Sequence, residues 1–97
     1  MNQIEIHRLA TEDYANAYAF YLARSRKAAA GFESEFWRVV RSITEFPESF
    51  PVLDDEKRFG LMRKYPFRII FSYESGTVVI LALAHGRRAS EFWRTRE

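Results

Sequence analysis

The chain has 97 residues, of which 47% are hydrophobic and 29% charged, and it contains no cysteine. This length and balance predict one domain over residues 1–97, and they exclude a disordered chain, disulfide bonds and thiolate metal sites. Residues 1–56 carry six basic against ten acidic side chains, a net charge of −4, whereas residues 57–97 carry nine against three, a net charge of +6, which predicts an anionic partner for the second half.

The first half of the chain predicts a strand and two helices. Residues 3–8 alternate between apolar and polar, as in a short half-buried strand. Thr11 is a favourable N-cap, and the spacing of the tyrosines that follow predicts a helix over residues 12–25. A second amphipathic stripe predicts a helix over residues 27–45, in which Gly31 is expected to allow a close approach to the first helix.

Two less regular segments follow the helices. Residues 47–56, PESFPVLDDE, predict a solvated loop, because they contain two prolines and an acidic cluster. The cluster lacks the spaced oxygen ligands that Mg²⁺ or Ca²⁺ requires, so we expect no metal site there. Residues 58–65 predict an edge strand, since Gly60 weakens the strand and a proline follows it.

Residues 67–73 and 78–85 predict two antiparallel strands joined by a tight turn at Ser75-Gly76. In the register of that turn, one face is expected to receive the helices and carries Phe67, Ile69, Phe71, Tyr73, Val78, Ile80, Ala82 and Ala84. The opposite face is expected to be open and apolar enough to bind a partner, and it carries Arg68, Ile70, Ser72, Val79, Leu81, Leu83 and His85. A slip of one residue would exchange these faces.

The element order β-α-α-β-β-β predicts an α+β fold. We expect a twisted, mostly antiparallel sheet with a two-helix hairpin packed on one face and a short C-terminal helical tail, in which Ser90 is a candidate cap. No apolar run is long enough to span a membrane, and the first residues lack the pattern of a signal peptide, so no membrane segment is expected.

The chain resembles the RelE/ParE superfamily of type II toxin–antitoxin toxins over nearly its whole length. The resemblance lies in the element order, the alanine-rich helix pair ending in FP, the pattern LMRKYPFRIIFSY and the ending VVILALAHGRR. Arg63 lies where these toxins usually carry a basic residue before the hairpin, and Arg68 lies in the strand that follows. His85 with Arg87 and Arg88 follows the last strand as in plasmid-stabilisation members, and the tail EFWR resembles the ending of that branch.

This resemblance implies a cytoplasmic growth inhibitor that needs no cofactor. It also implies a cognate antitoxin, encoded beside the toxin, that neutralises it in a toxin–antitoxin hetero-oligomer. Two modes of action occur in the superfamily: ParE-like members inhibit DNA gyrase by binding it, whereas RelE-like members are ribosome-dependent mRNA endoribonucleases that use no metal. A third alternative is a non-toxic member that only binds an antitoxin.

A nuclease would need cations for the developing phosphorane charge and a group that transfers protons. Arg63, Arg68 and Arg87 are the candidate cations, and His85 is the candidate proton-transfer group. The alternative for His85 is a structural role at the end of the last strand. The tail offers aromatic residues where RelE-like enzymes usually carry a tyrosine or histidine. We therefore favour the gyrase inhibitor, and whether the protein is an enzyme stays open at this point.

The resemblance also implies a surface that binds the antitoxin or the target. Its candidate residues are either basic or apolar, and they lie in or near the hairpin and the tail: Arg58, Arg63, Arg68, Ile70, Leu81, Leu83, Arg87, Arg88, Phe92 and Trp93. An acidic, amphipathic antitoxin segment is expected to cover the leucines and pair with the arginines.

Overall fold

Two helices and five strands make up the described part of the chain, which is residues 2–54, 56–86, 93, 94 and 96 of a computed structural model. They are β1 (Gln3–Ile6), α1 (Arg8–Leu22), α2 (Arg26–Glu45), β2 (Val52–Asp54), β3 (Lys57–Leu61), β4 (Phe67–Glu74) and β5 (Thr77–His85). The strands form one sheet in the order β1-β5-β4-β3-β2, in which β1 and β5 run parallel and the other pairs antiparallel. The predicted α+β architecture is confirmed, while most of the predicted C-terminal helical tail lies outside the described residues.

Helix α1 begins at Arg8, earlier than predicted, because His7 and not Thr11 is its N-cap. The His7 Nδ1 atom accepts a hydrogen bond from the Leu9 amide at 3.0 Å. The His7 amide itself donates to the Ile80 carbonyl at 2.8 Å, so the chain turns from strand to helix within one residue. Histidine is not among the residues that prefer N-cap positions, and for this reason the pattern favoured the threonine.

Helix α2 lies where the sequence predicts it. Ser25 is its N-cap, with the Oγ atom accepting a hydrogen bond from the Ala28 amide at 2.9 Å, and Pro47 follows its end. Its predicted apolar stripe is buried and consists of Ala29, Phe32, Phe36, Val39, Val40 and Ile43. The stripe packs on the face of the sheet that we call the inner face, which carries Ile69, Phe71, Val78, Ile80 and Leu83. The tyrosines of α1 complete this core rather than forming a surface platform.

The region between α2 and β4 contains more strand than predicted. Residues 47–56 hold a short 3₁₀ turn and then β2, which pairs with β3. Strand β3 is therefore not an edge strand, since β2 lies on its outer side. At three residues between a proline and a turn, β2 is too short to produce a visible alternation of apolar residues.

Strands β4 and β5 are joined by the predicted Ser75-Gly76 turn, with φ of 53° and 82° at its two residues. The predicted pairing holds from Glu74↔Thr77 to Phe71↔Ile80, and then a β-bulge at Leu81 shifts it so that Ile70 pairs with Ala82. Because β5 holds the extra residue, every later residue of β5 lies on the face opposite to the one that strict alternation predicts.

The predicted faces of residues 82–85 in β5 are consequently wrong. Ala82 and Ala84 lie on the face opposite the helices, which we call the outer face, together with Ile70 and Leu81. Leu83 points into the helix-covered core. His85, which pairs with Phe67, also lies on the inner side of the sheet.

Side chains from distant parts of the chain hold the bulge. The Leu83 amide donates to Asp13 Oδ2 at 3.1 Å, and Arg96 Nη1 donates to the Leu81 carbonyl at 3.0 Å. Arg96 and Asp13 also form an ion pair at 2.7 Å, with only 9% and 19% of their side chains exposed. These four residues form what we call the bulge clamp, and it satisfies backbone groups that strand pairing leaves free.

Gly31 packs against the β3–β4 turn and not, as predicted, against the first helix. A Cβ atom at this position would lie 2.6 Å from the Tyr65 hydroxyl oxygen. We expect Gly31→Ala to destabilise the wild-type protein by about 1 kcal/mol, because overpacking outweighs the gain in helix propensity. In a Tyr65→Phe background, the same change is expected to stabilise the protein by about 1 kcal/mol. Urea denaturation of the four proteins measures both effects, and equal effects in the two backgrounds would contradict this contact.

Candidate functional site

Arg63 lies in the tight turn that links β3 to β4, and its side chain is exposed. Its amide donates a hydrogen bond to the Glu35 carboxylate, which also accepts a bidentate pair from Arg38 at 2.8 Å. The hydrogen bond from Arg38 lowers the pKa of Glu35, and the amide of Arg63 adds to that effect. Glu35 therefore ties the turn to α2 and leaves the Arg63 side chain at the rim of a cleft between the turn and the helix.

Arg68 occupies a different place, on the outer face of β4. Its guanidinium lies 5.2 Å from the centre of the Phe59 ring and donates to the Gly86 carbonyl at 3.3 Å. It borders a second, apolar pocket of about 330 Å³, which Leu61 and Phe67 also line. Tyr65 lies between this pocket and the cleft beside Arg63, since it lines both.

His85 is exposed at the end of β5, and its ring packs edge-on against Phe67 at 5.2 Å. His85 pairs with Phe67 across the strands, and Arg68 pairs with Ala84. Because neighbouring residues of a strand point to opposite faces, the imidazole and the Arg68 guanidinium leave the sheet on opposite sides. The structure therefore does not bring Arg63, Arg68 and His85 together in one cleft, and Arg87 lies outside the described residues.

Of the two remaining predicted arginines, Arg58 and Arg88, the structure describes only Arg58. Arg58 donates to the Phe50 carbonyl at 2.7 Å and thereby holds the chain segment before β2. This bond gives Arg58 a structural role on the inner side of the sheet, where it pairs with Phe71. Arg88 and Phe92 lie outside the described residues.

The apolar candidates among the described residues are buried, and the prediction that they form an open face is wrong. Ile70 and Leu81 lie on the outer face, but Trp93 packs with them and is only 2% exposed. Leu83 lies in the core because the bulge turns it towards the helices. The chain's own Trp93 thus covers surface that the strand pattern alone leaves open.

Leu61 is the residue that sequence analysis missed. Its side chain is 64% exposed and borders the pocket beside Arg68, with which it pairs across the strands. The sequence does show that Leu61 is apolar and lies in a predicted strand, so its side chain must be on one of the two faces of the sheet. Which face it is depends on the register between β3 and β4, and the sequence alone does not give that register.

The described residues carry no group of acidic, histidine or cysteine side chains that could hold a metal ion. In the same part of the chain, neither helix is long and apolar enough to cross a membrane. The candidate site consists of two separate arginines, Arg63 and Arg68, and the apolar pocket beside Arg68.

The comparisons with known proteins agree with this fold. Residues 4–90 match the family model of the ParE toxin of the type II toxin–antitoxin system parDE. In a search of solved structures, the chain is similar to one from the chromosomal ParDE toxin–antitoxin system of P. aeruginosa, with a TM-score of 0.78 and 16% sequence identity, covering 90% of this chain and 98% of that one. None of the curated proteins searched matches the chain. Because the family model spans most of its length, the chain belongs to the ParE toxins of type II toxin–antitoxin systems.

Proposed function

We propose that this ParE toxin arrests bacterial growth by binding DNA gyrase, and that a cognate antitoxin neutralises it in the cytoplasm. The observation that carries the choice of target is the separation of the candidate nuclease residues. The Arg68 and His85 side chains leave opposite faces of the sheet, and Arg63 borders another cleft. A binding toxin requires no such convergence.

The separation matters because cleavage of RNA needs several groups around one phosphate. A proton-transfer group must lie within hydrogen-bonding distance of the ribose hydroxyl, while cations stabilise the same phosphorane. His85 packs against Phe67 on the side of the sheet away from Arg68. A phosphate bound at Arg68 would therefore lie on the face of the sheet opposite the imidazole, which supports the gyrase inhibitor over the endoribonuclease.

We expect the purified protein to inhibit supercoiling by DNA gyrase and His85→Ala to inhibit it equally. The same variant should still arrest growth when it is expressed without an antitoxin. If His85 were a general acid or base, its removal would lower activity by about 100-fold or more. Gel assays of plasmid supercoiling, with growth curves beside them, measure both outcomes.

Translation and mRNA cleavage on ribosomes provide the opposing assays. Cleavage of mRNA on ribosomes that disappears in His85→Ala would establish the endoribonuclease and overturn the gyrase proposal. Normal growth of cells that contain the folded protein would leave only the non-toxic, antitoxin-binding alternative. Circular dichroism of each variant excludes unfolding as the cause of a lost effect.

A further inference from the structure

Arg68 has unused binding capacity at a half-buried position. A guanidinium has several N–H donors in a planar fork, which matches the two oxygens of a carboxylate. Here it makes one hydrogen bond, of 3.3 Å, to the Gly86 carbonyl and lies over the Phe59 ring. No carboxylate of the described residues pairs with it. The stacking fixes the position of the fork without consuming its donors.

The pocket beside Arg68 is apolar and open to solvent. Its walls come from β3, the β3–β4 turn and β4, and include Leu61, Met62, Pro66 and Phe67. With about 330 Å³, it can admit one large apolar side chain. Leu61, 64% exposed, forms part of its rim and would lose that exposure to an occupant.

The surroundings of the pocket favour an acidic occupant. Arg63 and Lys64 are exposed on the turn that forms one wall, and residues 57–97 as a whole carry a net charge of +6. The described residues that line the pocket include no acidic side chain. An apolar cavity with a cation at its edge fits a peptide segment in which an apolar residue lies next to an aspartate or glutamate.

We infer that this pocket, which we call the Arg68 pocket, anchors the antitoxin. An acidic segment of the antitoxin inserts one apolar side chain between Leu61 and Phe67, and a neighbouring carboxylate pairs with Arg68. This inference rests on the neutralisation by an antitoxin that is part of the proposed function. It assigns that binding to one pocket, in place of the buried Leu81 and Leu83 to which the sequence pattern points.

The test is a titration of the toxin with the protein encoded beside it, followed by calorimetry. Arg68→Gln is expected to weaken binding by about 10-fold or more, and Leu61→Ala by about 5-fold, since both remove contacts that become buried when the segment binds. Arg41→Gln is the matched control, because Arg41 is exposed on α2 away from the pocket, and its affinity should equal that of the wild type. The salt dependence of binding should also be smaller for Arg68→Gln.

The outcomes separate the inference from the proposed function. If the wild type binds its neighbour-encoded protein and Arg68→Gln and Leu61→Ala bind equally well, the Arg68 pocket is not the anchor, although neutralisation stands. If the wild type does not bind it at all, neutralisation by that protein fails. An Arg68→Gln variant that loses only gyrase inhibition would overturn the assignment to the antitoxin. Leu61→Ala decides the matter if Arg68→Gln does not fold, because an exposed leucine contributes little to folding.

Discussion

Trp93→Ala is expected to lower the free energy of unfolding by about 3–5 kcal/mol. The indole is 2% exposed and packs with Ile70, Leu81 and Ala84 on the outer face, so its removal leaves a cavity over the sheet. This loss is a large share of the about 5–15 kcal/mol that stabilises a typical domain. Urea denaturation followed by circular dichroism measures it.

Two further tryptophan variants serve as controls for this result. Trp37→Ala removes an indole that is 42% exposed on α2, and we expect a change of only about 0.5 kcal/mol. Trp93→Phe keeps most of the apolar area and removes an indole N–H that has no hydrogen-bond partner among the described residues, so a cost below about 1.5 kcal/mol is expected. Equal costs for Trp93→Ala and Trp37→Ala would show that the Trp93 side chain does not cover the sheet.

Asp13→Ala is expected to destabilise the protein by about 3 kcal/mol. The change removes the carboxylate that pairs with the largely buried Arg96 guanidinium and that accepts the hydrogen bond of the Leu83 amide. Asp13→Asn keeps an acceptor for that amide and should therefore cost less than Asp13→Ala. Denaturation curves of both variants give the ranking.

Glu12→Ala is the matched control on the same helix. Glu12 pairs with Arg8 at 3.0 Å, but both side chains are more than half exposed. An exposed pair of this kind contributes about 0.5 kcal/mol or less. If Asp13→Ala were as mild as Glu12→Ala, the bulge clamp would contribute no stability.

The features that sequence predicted well are those set by near neighbours. The Ser75-Gly76 turn needs positive φ at both residues, and Gly76 meets this need at no steric cost. Helix α2 carries its cap and its apolar stripe within its own residues. Such signals are complete within a short window of the chain, which explains why these elements are placed correctly.

The features that sequence missed depend on distant residues. The bulge at Leu81 is held by Asp13 and Arg96, and nothing in the β5 sequence marks it. Since the bulge exchanges the faces of Leu83 and Ala84, a single local irregularity reversed the predicted environment of half the strand. The burial of Trp93 likewise depends on packing against Ile70 and Leu81, which are distant in sequence and which no periodicity records.

For the candidate site, sequence identified the arginines but not their arrangement. Arg63 and Arg68 are both at accessible positions, and the sequence pattern placed Arg68 on the correct strand. Arg63 was predicted within a strand over residues 58–65 but lies in the turn after β3. Their separation by Tyr65, and the apolar pocket beside one of them, follow from tertiary packing. Residue type therefore predicted which side chains are available for binding, while the fold decides which of them can act on the same ligand.

The bulge clamp also bears on aggregation. An open strand edge offers backbone donors and acceptors on which another strand can pair, which is a common route to aggregates. Strand β1 covers the edge of β5 only from Thr77 to Ile80. Beyond that point the Leu83 amide and the Leu81 carbonyl are already bonded to Asp13 and Arg96. A strand from another molecule would have to break a largely buried ion pair to add here, so this stretch of edge is closed to strand addition.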